Sequence, residues 1–217
     1  MKFLIDSANV KEIDSALLMG VQGVTANPSM YAKEKVNFYD FLATMRQKTE
    51  DILTAEVIGT DIEVMREDVD RILEISNDII IKINFSEIGL RLVKELRRKG
   101  VKTAVTLIFD LNQAMLAINA GADYIFPFIG RNEGIGVDGL KLIKDICGVI
   151  KEKGYNTKVV AASIKNLYHL EEIAKLGADY AAVPYNLLKE ACYHSLTVSG
   201  VEQFQVDWDK VDKNYNK

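Results

Sequence analysis

The stretch NDIIIKINFSEIGLRLVKELRRKG, residues 77–100, contains one complete structural repeat. Its first part, Ile79 to Ile83, is isoleucine at every position but one, the pattern of a strand buried on both faces. Its second part places apolar residues at helical spacing and closes on Arg97, Arg98, Lys99 and Gly100, a favourable helix C-terminus. A doubly buried strand followed by an amphipathic helix is the unit of a parallel sheet covered by helices. One residue interrupts the apolar run, and it is Lys82.

The same unit recurs in both directions along the chain. Strand candidates are KFLID (2–6), VQGVT (21–25), ILTAEVI (52–58), DIIIKIN (78–84), KTAVTLI (102–108), DYIFPF (123–128), KVVAAS (158–163) and DYAAVP (179–184), with helical patterns such as DIEVMREDVDRILEIS between them. Eight such units in 217 residues predict a single (β/α)8 TIM barrel over 1–217. An internal echo supports closure: AGADYIFPF (120–128) and LGADYAAVP (176–184) share a G-A-D-Y core, with Gly121 and Gly177 placed to end a helix before a strand. GRNEGIG (130–136) reads as a mobile loop. Residues 202–217 read as a C-terminal helix that docks on the barrel or on a neighbouring subunit.

Composition narrows the function. A net charge of −4 and the lack of a basic stripe interleaved with aromatics argue against nucleic acid. No apolar run reaches bilayer length and MKFLIDSANV leads directly into a strand, so no membrane association is expected and the cytoplasm is the default location. Cys147, Cys192, His169 and His194 show no metal-ligand spacing; buried or half-buried structural roles are expected for all four, with no metal and no cofactor.

In a βα barrel the chemistry sits at the C-terminal ends of the strands. Polar residues expected there are Asp6, Thr25 with Asn27, Glu56, Lys82, Thr106, Arg131, and Ser163 with Lys165. Lys82 has two readings: a barrel-interior cation neutralised by a buried carboxylate, or a reactive amine. An ammonium enclosed by isoleucines loses hydration, which favours the free amine, and a free amine adds to carbonyls. The resulting iminium is an electron sink for breaking or making a carbon–carbon bond. Glu56 and Thr106, through a water, are candidates for the proton relay, and Asp6 for a second acid/base.

LIDSANVKEI, GVTANPS, IIIKINFSEIGL, TAVTLIFDLNQAMLAINAGADYIFPFIGR and VAASIKN, in that order, resemble the transaldolase family, in its short branch that also contains fructose-6-phosphate aldolases. The resemblance runs nearly end to end. It implies a class I, Schiff-base mechanism on sugar phosphates, with Lys82 as the iminium lysine, Asp6 as the acid/base and Asn27 as a donor-hydroxyl ligand between Thr25 and Ser29. Arg131, Ser163 and Lys165 match positions that bind the substrate phosphate. A homo-oligomer, pentamer or decamer, is also implied.

Two positions separate the branches. Aldolases resemble a glutamine and tyrosine pair where this chain has Glu56 and Phe128, the transaldolase pair, which favours transfer over release. The donor pocket departs from the pattern. Lys-Ile-Pro is Lys82-Ile83-Asn84, Thr-Thr-Asn-Pro is Thr25-Ala26-Asn27-Pro28, and an asparagine and a serine that bind the donor in transaldolases are Ala104 and Phe126. Each lost hydrogen bond weakens recognition of a hydroxylated ketone by about 1 kcal/mol. Three readings stand at this point: a transaldolase, an aldolase releasing dihydroxyacetone or hydroxyacetone, and a non-catalytic sugar-phosphate binding barrel.

Overall fold

The computed structural model describes residues 1–49 and 51–211. The first half runs β1 (Lys2–Asp6), α1 (Val10–Leu18), β2 (Gly23–Thr25), α2 (Pro28–Glu34), α3 (Phe38–Lys48), β3 (Ile52–Val57), α4 (Ile62–Ile75), β4 (Ile80–Asn84) and α5 (Glu87–Arg98). The second half runs β5 (Thr103–Ile108), α6 (Leu111–Ala120), β6 (Tyr124–Pro127), α7 (Gly130–Glu133), α8 (Gly139–Lys153), β7 (Lys158–Ala161), α9 (Leu167–Leu176), β8 (Tyr180–Val183), α10 (Tyr185–Ala191) and α11 (Ser195–Trp208). The eight strands pair in parallel and close in chain order, β1 beside both β2 and β8. This is the (β/α)8 barrel expected from the strand count.

The repeated G-A-D-Y has a concrete role. Gly121 and Gly177 end α6 and α9 in the left-handed region, at φ 99° and 87°, where a side chain would be strained. Two residues on, each aspartate reaches the strand before its own. Asp123 Oδ2 accepts from the backbone N–H of Thr103 at 2.8 Å, and Asp179 Oδ2 from that of Val159 at 2.9 Å. The echo is therefore a fastener used twice, joining β6 to β5 and β8 to β7 at the N-terminal end of the barrel.

Side chains alternate across the sheet, so its strands feed two cores. Leu4, Ile80, Ala104, Phe126, Val160, Ala162 and Ala182 fill the barrel interior. Ile79, Ile81 and Ile83 belong to the layer between sheet and helices, with Leu92, Val93 and Leu96 of α5. Lys82 shares its face with Ile80, so the isoleucines beside it in sequence point away. The hydrophobic enclosure expected for the lysine is replaced by a more polar one, described below.

Three further expectations are revised. Part of GRNEGIG is the helical turn α7, pinned by the buried Asn132, whose Nδ2 donates to the Phe109 carbonyl at 2.9 Å. The terminal helix begins at Ser195, ahead of the expected start, and residues 212–217 lie outside the described region. Cys147 and His169 are buried, but Cys192 and His194 are exposed: both fall between α10 and α11, where the barrel has ended. Among the described residues, no helix is long and apolar enough to cross a membrane.

Candidate active site

A cavity of about 380 Å³ opens at the C-terminal mouth of the barrel. Asp6, Thr25, Asn27, Ser29, Glu56, Lys82, Thr106, Phe126, Phe128, Arg131, Ser163 and Lys165 all line it. Ala104 does not. It lies deeper in the barrel interior, opposite Lys82 in the β4–β5 register.

Strand register brings the central pair together. Glu56 of β3 and Lys82 of β4 are direct partners on the inner face, and Nζ lies 3.1 Å from Oε2. Their side chains are only 6% and 4% exposed, so water screens the pair little. The contact is an ion pair without hydrogen-bond alignment, and among the described residues Oε2 has no other partner. The ammonium donates instead to the Ala26 carbonyl and, at 3.4 Å, to Thr25 Oγ1, which is itself 2.7 Å from Thr54 Oγ1. Ala26, unusual as a side chain, thus contributes its main chain. The Phe126 ring lies 5.4 Å from Nζ and provides a cation–π face.

Asp6 ends β1 in register with Thr25, the hydroxyl that Lys82 Nζ contacts, and lines the same cavity. Burial pushes its carboxyl up to about 6, opposed by the positive charge of Lys82, reinforced by the negative charge of Glu56 and opposed again by Lys165. Asn27 caps α2, its Oδ1 accepting from Met30 N–H at 3.3 Å. The next residue, Pro28, suits the first helical position because its missing N–H is not needed there.

Arg131 and Lys165 stand on adjacent loops at the rim. The Arg131 guanidinium stacks 5.0 Å from the Phe128 ring, which in turn meets Phe109 edge to face. Backbone hydrogen bonds join the loops: Ile129 N–H to the Ala162 carbonyl at 3.0 Å, and Gly130 N–H to the Ser163 carbonyl at 2.9 Å. Gly130 is required by proximity, since a Cβ there would lie 2.5 Å from Lys165 Cγ. Ser163 itself sits at φ 59°, a strained conformation held by these contacts.

Sequence reasoning missed two neighbours. Leu107 lines the cavity at φ 62°, within the register shift between β5 and β6, and no residue type advertises that conformation. The Tyr31 hydroxyl is buried without a hydrogen-bond partner among the described residues. Burial raises its pKa, as do the charges of Glu56 and Asp6. A tyrosine on a helix face ordinarily reads as core, so nothing in its spacing marked it.

A closed parallel barrel whose mouth holds a buried lysine–carboxylate pair under a cationic rim has the architecture of (β/α)8-barrel enzymes, in which sites lie at that end. The chain belongs to the transaldolase/fructose-6-phosphate aldolase family, whose sequence pattern matches residues 3–215. A probable transaldolase of Desulfitobacterium hafniense (strain DSM 10664 / DCB-2) is 46% identical over 212 residues, spanning 97% of this chain and 100% of the relative. Probable transaldolases of Shouchella clausii (strain KSM-K16) and Methanococcus vannielii are 43% and 42% identical, each with 98% of its length covered, over 97% and 96% of this chain.

Proposed function

We propose that this enzyme transfers a three-carbon ketose fragment between sugar phosphates through a Schiff base on Lys82. The observation that carries the reading is the buried Lys82–Glu56 pair lining one cavity with Asp6. Glu56 receives the proton the ammonium must lose, and the free amine attacks the ketone carbonyl. Loss of water, relayed by Glu56 and Thr106, gives the iminium. Asp6 then removes the proton of the hydroxyl beyond the scissile carbon–carbon bond. That bond breaks, its electrons enter the iminium, and an aldose phosphate leaves as the aldehyde. The remaining enamine attacks an acceptor aldehyde, Asp6 returns its proton to the new alkoxide, and hydrolysis frees the product. A carboxyl titrating near 6 can serve in both directions at neutral pH. Mass spectrometry after borohydride reduction, with a panel of ketoses and ketose phosphates, tests this reading. If no ketose adds mass to the protein, the Schiff-base assignment fails.

Transfer is favoured over release because the position beside the bound fragment is Phe128, which has no hydroxyl to protonate the enamine. With fructose 6-phosphate alone, free three-carbon ketone should form slowly, and an aldose phosphate acceptor should accelerate glyceraldehyde 3-phosphate formation. Phe128→Tyr should raise the ratio of release to transfer. Equal rates with and without acceptor would support the alternative, an aldolase. One feature favours that alternative: Phe126 makes the donor side apolar beside Nζ, a better match for hydroxyacetone than for dihydroxyacetone.

The phosphate of the substrate is assigned to Arg131, Ser163 and Lys165, two cations and a hydroxyl on neighbouring loops of one rim. Arg131→Ala should raise KM for phosphorylated substrates roughly tenfold or more, the scale of losing one charge-assisted hydrogen bond, and leave unphosphorylated analogues nearly unchanged. An equal loss on both would return Arg131 to a role in loop structure. We assign the enzyme to homo-oligomers as well; support comes from the exposed apolar residues Leu196, Val201 and Phe204 on α11, a surface suited to a second copy.

A further inference from the structure

We propose that His169 is a positioning residue that couples the two anion-binding loops, so that Arg131 and Lys165 act as one clamp. The inference rests on the phosphate assignment above.

His169 is buried, yet its ring touches both loops. Nδ1 accepts from the backbone N–H of Lys165 at 3.3 Å, which leaves the ring proton on Nε2. Nε2 lies 3.0 Å from Glu133 Oε2, at the end of the helical turn that carries Arg131. The second contact is a close approach of that nitrogen to a carboxylate, and one imidazole spans the Arg131 turn and the Lys165 main chain. The ring's own backbone is set by Asn166, which caps α9 by accepting from His169 N–H at 2.8 Å.

The bridge matters because neither cation is anchored by burial. Arg131 and Lys165 are both exposed, so their separation is governed by loop geometry rather than by packing around their own side chains. Two contacts already bring the loops close: the Gly130 to Ser163 hydrogen bond and the passage of the Lys165 stem over Gly130. Those lie on the cavity side. The His169 bridge ties the far end of the same turn and so restrains its rotation, which would otherwise swing Arg131 away from Lys165. A clamp preset in this way loses less entropy on closing around a phosphate.

The experiment compares fructose 6-phosphate with fructose, and measures inhibition by inorganic phosphate, in four variants. His169→Asn keeps an acceptor for Lys165 N–H but cannot reach Glu133; His169→Gln can reach Glu133. Glu133→Ala cuts the same link from the exposed side without opening a cavity, and it carries the test if the buried substitution fails to fold. Arg131→Ala reports on the phosphate assignment itself.

His169→Asn and Glu133→Ala should each raise KM for fructose 6-phosphate and the inhibition constant of phosphate roughly fivefold, with kcat and the kinetics on fructose held, the pattern of lost remote binding. His169→Gln should recover most of the loss. Combining Glu133→Ala with Arg131→Ala should cost less than the product of the single effects, because both act on one clamp. Equal changes on fructose and fructose 6-phosphate, or no change in either, would overturn the coupling if Arg131→Ala still selects against phosphate. If Arg131→Ala shows no such selection, the phosphate assignment fails and the coupling falls with it.

Discussion

Lys82→Ala is expected to abolish trapping of any ketose by borohydride and to lower kcat by about four orders of magnitude or more, since covalent catalysis has no substitute nucleophile in the cavity. Lys165, the other lysine that lines it, stands at the rim and is exposed. In the wild-type protein the added mass should map to the peptide that contains Lys82. A Lys82→Ala protein that still traps a ketose and turns over would sink the mechanism. The substitution also carries a stability cost, because it leaves Glu56 buried without its cation. Removing both charges separates the two effects. Lys82→Met combined with Glu56→Met should melt at or above the wild-type temperature and remain inactive, as replacing a buried ion pair by apolar residues of similar volume is often neutral or stabilising.

Asp6→Asn should lower kcat by about a hundredfold to ten-thousandfold at pH 7, the contribution of a positioned acid/base. In the wild type, kcat/KM should show an acid limb near pH 6, and Asp6→Asn should remove it. Stability should move the other way. Asp6 takes up its proton near 3.8 when unfolded and near 6 when folded, so between these values the native state holds more protons than the unfolded chain. Stability therefore falls as pH rises through that window, and the cost is fully present above pH 6. The cost is on the order of 2 kcal/mol after allowing for water in the cavity, and an asparagine does not incur it. Denaturant titrations at pH 4 and pH 7 should show Asp6→Asn gaining on the wild type at the higher pH. A variant less stable at pH 7 than at pH 4, relative to wild type, would contradict the assignment of burial as the main cause.

This opposition between activity and stability extends across the site. Glu56 and Lys82 are charged in a place that packing alone would fill with methionine or leucine, and Ser163 holds a backbone conformation that glycine would hold with less strain. The fold tolerates them because the large apolar layer between sheet and helices supplies stability elsewhere.

Local pattern was enough for the architecture. Eight apolar runs, the helical spacing between them and the paired glycines at 121 and 177 are properties of short segments, and a short segment largely decides whether it is strand, helix or cap. The strand ends are legible for the same reason, which is why the sequence alone gathers Asp6, Glu56, Lys82, Thr106 and Ser163 at one mouth. What surrounds each of them is not. Ile81 and Ile83 adjoin Lys82 in sequence yet face the helices, while its actual neighbours Glu56, Thr25 and Ala26 come from β3 and from the end of β2 and the residue after it, through register and barrel closure. Asn132 turned an expected loop into an anchored turn through a bond to Phe109, and His169 reaches Glu133 across the intervening α8 and β7. Such contacts depend on how eight units close on one another, and periodicity within a unit carries no record of that closure.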